Sequence, residues 1–109
     1  MNTVVENLKR ASVESIILSL LTEKDKYAYQ LAQEIKKGTD NKIAILEGSM
    51  YTILNRLKDN GYVTCHSELS GKKMVRVYYH ITEKGVQHLN ELNATFNEYV
   101  DIIKNLIHK

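Results

Sequence analysis

Apolar residues recur at helical spacing along the first part of the chain. Val5, Leu8, Val13, Ile16, Ile17, Leu20 and Leu21 keep a period of about 3.6 and predict a helix over residues 4–22. Thr3 and Glu6 have the spacing of a capping box at its start. Residues 22–26 form a polar link, with Asp25 as the expected N-cap of a second helix over 26–37. That helix places Ala28, Leu31, Ala32 and Ile35 on one face, and Gly38 is its stop. After a polar turn at 39–42, Ile43-Ala44-Ile45-Leu46 reads either as a small strand or as an extended lead-in. A third helix follows over 47–60, with Met50, Ile53, Leu54 and Leu57 inward and Asn60-Gly61 at its end.

Beyond Gly61 the period changes to two. Residues 62–68 and 73–81 read as a hairpin turned at Ser70-Gly71. Val75, Val77, Tyr79 and Ile81 share one face of the second strand; Met74, Arg76, Tyr78 and His80 share the other. Thr82 is placed as an N-cap where the helical period returns. The last helix runs from residue 83 to near the C-terminus. Leu89, Phe96 and Ile103 are seven apart, as are Leu92, Tyr99 and Leu106, giving an a/d seam widened by Val86, Val100 and Ile107. Amphipathic helix, strand, basic turn, strand and helix, in that order, describe a winged helix-turn-helix. The expected fold is mostly α with a small β-hairpin (α+β). Residues 1–82 would form a winged-helix DNA-binding domain and residues 83–109 a long C-terminal dimerisation helix.

Composition narrows the class. A chain of 109 residues is one domain with at most one appendage. The net charge of +2 is a weak nucleic-acid footprint, so distribution matters more than total. Between Leu69 and His80 stand Lys72, Lys73 and Arg76 with no acidic residue. A lone cysteine, Cys65, excludes an internal disulfide framework and fits a reducing compartment. No stretch approaches the ~18 apolar residues of a membrane span, and MNTVVENLKR lacks an apolar signal core. The expected location is cytoplasmic. The chain has no proline, so its turns rely on Gly, Asn and Asp.

The third helix presents Ser49, Thr52, Asn55, Arg56 and Asp59 between its buried positions. Hydroxyls and amides suit base edges in a major groove; Asn55 suits adenine, and Arg56 suits guanine or a phosphate. Alone, such residues read as the solvated face of a helix. The hairpin that follows turns the reading towards double-stranded DNA. Lys72, Lys73 and Arg76 would neutralise phosphates and make binding salt-sensitive, although charged hairpin tips also serve as edge protection. Tyrosine hydroxyls donate to phosphate oxygens. Two apart on a helix, Tyr27 and Tyr29 cannot both face inward, so Tyr27 and Tyr51 are assigned to DNA and Tyr29 to the core.

The C-terminal seam is more apolar surface than a monomer closed by Ile81 needs. Pairing two chains would bury it and present two recognition helices about one DNA turn apart. The expected dimer interface is Val4, Val5, Leu8, Leu89, Leu92, Phe96, Tyr99, Ile103 and Leu106; the alternative is a helix folded back on its own domain. Cys65 and His66 point to opposite faces of a strand and cannot easily share a metal. His88 and His108 read as helix-surface residues. No catalytic set, phosphate loop or paired acids stand at a recognisable spacing. The reading is therefore no enzyme, no cofactor and no metal.

Residues 12–92 resemble the PadR family of bacterial transcriptional regulators. The matching pieces are ILSLLTEKDKYAYQLAQEIKK, EGSMYTILNRLKDNGYV and KKMVRVYYHITEKG. Within them lie Tyr27-x-Tyr29, Gly48-Ser49-Met50-Tyr51 with Leu54, Arg56 and Leu57, and Tyr78-Tyr79-x-Ile81-Thr82-x-x-Gly85. The single short C-terminal helix is similar to the small-membered subgroup that includes multidrug-sensing repressors. The resemblance implies a homodimeric repressor on a pseudo-palindromic operator. It also implies a small hydrophobic or aromatic effector held between subunits by Ser15, Ser19, Leu92, Phe96 and Tyr99. The chain departs from the family where members often carry a Ser-Pro or similar cap: Leu46-Glu47 puts a carboxylate where phosphates would lie. The rival readings are a winged helix that binds only protein, and a regulator without a ligand.

Overall fold

The computed structural model describes residues 3–71 and 73–107, and in residues 3–11 the backbone only. The elements are α1 (Thr3–Glu23), β1 (Lys26–Tyr27), α2 (Ala28–Gly38), α3 (Glu47–Asp59), β2 (Val63–Ser70), β3 (Met74–Ile81) and α4 (Glu83–Ile107). The sheet is antiparallel in the order β1-β3-β2. This is an α+β winged helix-turn-helix, as the changes of period predict. Among the described residues no helix is long and apolar enough to cross a membrane.

The core forms where the helical stripes converge on the sheet. Val13, Ile17, Leu18 and Leu21 of α1 meet Leu31 and Ile35 of α2, Met50, Leu54 and Leu57 of α3, and Val63, Tyr79 and Ile81 of the strands. Leu18 falls outside the predicted stripe yet is fully buried. The core does not close at Ile81: Leu89 of α4 is buried in it and Leu92 packs against it. The first two turns of α4 therefore belong to the winged-helix body.

The largest departure lies between α1 and α2. Asp25 is not an N-cap, because Lys26 and Tyr27 are extended and pair with Tyr79 and Tyr78. Helix α2 starts at Ala28 with no side-chain cap, and the Asp25 carboxylate instead lies 2.7 Å from His80 Nδ1. Lys26 is 2% exposed, with Nζ donating to Glu23 Oε1 at 2.7 Å and Glu34 Oε1 at 2.5 Å. Burial opposes its charge most strongly, but the hydrogen bonds and charges of Glu23 and Glu34 together outweigh it and raise the pKa. This ion triad, in which the lysine is buried and the two carboxylates reach solvent, ties α1, β1 and α2 together.

Residues 39–46 have no strand; the apolar stretch is a lead-in to α3. Asp40 and Asn41 turn the chain in the left-handed region, φ 51° and 66°, which Asp and Asn tolerate better than most. Thr39 Oγ1 accepts the Ile43 N–H at 3.0 Å and donates to Ile35 O at 2.8 Å, which fixes the turn.

Helix α3 ends in a Schellman arrangement. Tyr62 N–H donates to Leu57 O and Gly61 N–H to Lys58 O, with Gly61 at φ 80°. The start of α4 is clasped onto that end. Thr82 N–H donates to Tyr62 O at 3.0 Å, Thr82 Oγ1 to Gly61 O at 2.7 Å, and Lys84 Nζ to Asn60 O at 2.9 Å. Thr82 Oγ1 also accepts the Gly85 N–H at 3.0 Å, the N-cap that the sequence predicts. Gly85 lies so close to this joint that a Cβ there would be 2.1 Å from Tyr62 O.

Candidate nucleic-acid interface

The inward stripe Met50, Leu54 and Leu57 of α3 leaves Gly48, Ser49, Thr52, Asn55, Arg56 and Asp59 exposed. The polar face predicted for recognition is thus a contiguous outer face of one helix. Thr52 Oγ1 donates back to Gly48 O at 3.1 Å, so its hydroxyl is partly committed within the helix. Asn55 lies on the same exposed face. Arg56 lies at its edge, 51% exposed, with Nη2 3.9 Å from Glu14 Oε2 of α1. No side chain caps α3, whose first turn carries only the Glu47 carboxylate as a charge.

Beside the start of α3 runs an open cleft of about 410 Å³ lined by Tyr27, Ala28, Tyr29, Glu47, Tyr51 and residues 74–77 of β3. Three residues assigned from sequence to DNA contacts, Tyr27, Tyr51 and Arg76, come together here from α3 and two strands. The Arg76 guanidinium carbon sits 4.4 Å from the Tyr27 ring centroid, a cation–π contact. Tyr78 meets the same ring edge-on at 5.4 Å. Arg76 is thereby oriented by the aromatic pair next to it. Lys73 is exposed in the hairpin turn, and Lys72 lies outside the described residues.

Tyr29 overturns its expectation. It is 63% exposed and lines the cleft, while Ala28 fills the core beside it. The helical argument failed because Tyr27 is in β1 and not in the helix. The repeated tyrosine at the helix start was the signal that could have placed both in the cleft. Along the wing, burial falls off towards the tip. Tyr79 and Ile81 are buried, but Val75 on the same face is 60% exposed, because the hairpin outruns the body that covers its base. Strand β1 pairs only with Tyr78 and Tyr79, so among the described residues β3 has no strand neighbour on that side from Met74 to Val77.

His88 is not a free surface residue. Its Nε2 lies 2.7 Å from Glu14 Oε1, and its ring stacks on Tyr62 at 3.9 Å with 5° between planes. Nothing in the local pattern signals a pair 74 residues apart. His66 lies 2.6 Å from Glu68 Oε2 on the exposed face of β2, and Cys65 is half-buried towards the core. Among the described residues no group of three metal-ligating side chains converges.

Along α4, the seam positions separate in burial. Leu89 is buried and Leu92 half-buried, whereas Phe96, Tyr99, Ile103 and Leu106 are exposed in the single chain, together with Ile102 and Ile107. Ser15 is half-buried and Ser19 exposed on α1. The side chains of Val4, Val5 and Leu8, and all of His108, lie outside the described residues.

Comparison with known proteins places this geometry. Residues 17–91 match the model of the transcriptional regulator PadR-like family. An uncharacterised protein of Lysinibacillus sphaericus is 34% identical over 100 residues, 92% of each chain. A transcriptional regulator from Clostridium thermocellum superposes with a TM-score of 0.82 at 30% identity, covering 96% of both chains. The Bacillus subtilis PadR solved with operator DNA shares the fold, with a TM-score of 0.66 at 24% identity over 72% of this chain and 44% of that one. With its family model spanning most of the winged-helix body and its fold shared along nearly the whole length, this chain belongs to the PadR-like family of transcriptional regulators.

Proposed function

We propose that this regulator binds double-stranded DNA as a homodimer, with α3 in the major groove and the β2–β3 wing along the backbone, and that it acts as a repressor. The observation that carries the reading is the union of an exposed polar α3 face with a tyrosine- and arginine-lined cleft at its start. Base-reading groups and phosphate-binding groups then lie side by side, as groove recognition requires. That Bacillus subtilis PadR, which shares the fold, was solved in complex with operator DNA supports DNA as the partner.

The dimer rests on the outer half of α4. Phe96, Tyr99, Ile103 and Leu106 continue the heptad that Leu89 and Leu92 begin, but stay exposed in the single chain. Burying one such side chain is worth ~1.5–3 kcal/mol, so four on each chain supply a strong drive to pair. In this reading residues 1–82 form the DNA-binding unit, and residues 83–109 the dimerisation helix, rooted in the body by Leu89. Val4, Val5 and Leu8 would add to the interface. Phe96 and Tyr99, with Ser15, Ser19 and Leu92, are the candidate contacts for a small aromatic effector between subunits. Such an effector releases DNA only if it binds the DNA-incompetent dimer more tightly.

Fluorescence anisotropy on DNA from upstream of the protein's own gene, against scrambled DNA at two salt concentrations, tests the reading. Tighter, salt-sensitive binding to the upstream DNA is expected. Absence of binding to any DNA at low salt would refute it and favour a protein-interaction module.

A further inference from the structure

Glu14 stands at the junction of three helices and divides its carboxylate between two of them. Oε1 lies 2.7 Å from His88 Nε2 on α4; Oε2 lies 3.9 Å from Arg56 Nη2 on α3. Glu14 and His88 are 23% and 21% exposed, while Arg56 is 51% exposed at the edge of the recognition face. The short contact is a hydrogen bond, and the long one is an ion pair without direct contact. His88 is in turn held flat against Tyr62 in the segment that joins α3 to β2.

We propose that Glu14 is a positioning residue that competes with DNA for Arg56, and that His88 sets how strongly it competes. The inference rests on the DNA-binding reading above and concerns the control of that same face. With His88 holding Oε1, the carboxylate cannot close on the guanidinium, and Arg56 keeps enough freedom to reach a phosphate or a base. If α4 shifts and withdraws His88, the carboxylate is free to make the direct paired contact that arginine and carboxylate favour. Arg56 is then drawn back against α1 and away from the groove. The position of the proposed dimerisation helix is thus reported to the recognition helix through one shared carboxylate.

The geometry predicts opposite signs for two substitutions that sit on one hydrogen bond. Glu14→Gln keeps an acceptor for His88 but removes the charge that restrains Arg56. His88→Phe keeps the ring against Tyr62 but removes the nitrogen that restrains Glu14. Binding to the upstream duplex and to a scrambled duplex of equal length is measured by anisotropy across a salt series, with thermal unfolding in parallel. E14Q is expected to bind several-fold tighter than wild type. If the freed Arg56 takes up a phosphate, the salt slope steepens by up to ~0.9. H88F is expected to bind several-fold weaker, and the double variant to behave as E14Q. Arg56→Gln should weaken binding and erase the difference between the wild-type and E14Q backgrounds. A purely structural role predicts that E14Q and H88F both weaken binding in step with their melting temperatures, and that result would overturn the proposal. So would unchanged binding in E14Q when wild type binds normally. Failure of wild type to bind either duplex would instead remove the DNA-binding reading, and this inference with it.

Discussion

Replacing Gly85 by alanine sets two opposing effects against each other, and the structure says which wins. Alanine is worth about 1 kcal/mol more than glycine in a helix interior, so propensity alone would stabilise α4. The added Cβ, however, would lie 2.1 Å from Tyr62 O and 2.8 Å from Ile81 Cγ1. The nearer atom is backbone and cannot rotate away. Relieving the contact moves α4 off the end of α3, which strains the packing by ~1–3 kcal/mol. It also loosens the Thr82 N–H to Tyr62 O and Thr82 Oγ1 to Gly61 O hydrogen bonds, each worth roughly 0.5–1.5 kcal/mol. The sum is a net loss of about 1–5 kcal/mol. For a chain of this size 1 kcal/mol corresponds to roughly 4–5 °C, so the melting temperature should fall by about 4–25 °C. Circular dichroism at one fixed protein concentration reads the difference, with urea unfolding as a second measure. A melting temperature unchanged, or raised by the few degrees that propensity offers, would show that the α3–α4 joint is not the close contact described.

Three further outcomes follow from particular groups. Lys26 and Tyr79 both have folded pKa values above their ordinary 10.5 and 10.0, so both hold protons more tightly when folded. Their contribution is fully present below about pH 10 and is lost as pH rises through the folded values; Lys26→Met and Tyr79→Phe should each flatten that alkaline decline in melting temperature. For Tyr79 the cause is chiefly burial, with the charges of Cys65 and Tyr51 secondary. Arg76→Gln and Lys73→Gln should each lower the slope of log affinity against log salt by ~0.9 on operator and scrambled DNA alike, and an unchanged slope would remove that residue from the phosphate contacts. Ile103→Glu with Leu106→Glu should give monomers in sedimentation analysis and weaken operator binding by orders of magnitude; dimers that persist would place the interface elsewhere.

Much of the fold was legible because its information is periodic. The α3 stripe, the alternation along β3 and the heptads of α4 each repeat a signal several times, so single deviations do not hide the element. The exposed face of α3 was legible for the same reason: naming Met50, Leu54 and Leu57 as buried fixes which residues lie opposite. What escaped depends on single pairings between distant segments. Strand β1 is two residues long and exists because β3 offers a partner, not because Lys26-Tyr27 has a pattern of its own. Missing it misplaced Tyr29 and assigned Asp25 a cap it does not make. Lys26 is buried only because Glu23 and Glu34 converge on it, a compensation that no rule for exposed lysines anticipates. The Glu14–His88 pair likewise has no local signature.

One group of distant contacts gathers at the root of α4, against the chain that closes α3, and that location has a mechanical consequence. Thr82 caps α4, and Lys84, Gly85 and His88 lie within its first two turns; Thr82, Lys84 and Gly85 fasten to or pack against the chain that closes α3, while His88 stacks on Tyr62. A helix of 25 residues is about 37 Å long, so a tilt of about 5° about this root carries its far end about 3 Å. In the proposed dimer the relation would run both ways: repacking of Phe96, Tyr99 and Ile103 around an effector would tilt α4, and the root would hand that tilt to α3. Two recognition helices that must meet successive grooves tolerate little such change, since their separation is set by the DNA turn of ~34–36 Å. A loose joint would absorb an effector's signal before it reached the DNA. A joint closed on a glycine, with a backbone carbonyl where a side chain would be, would transmit it.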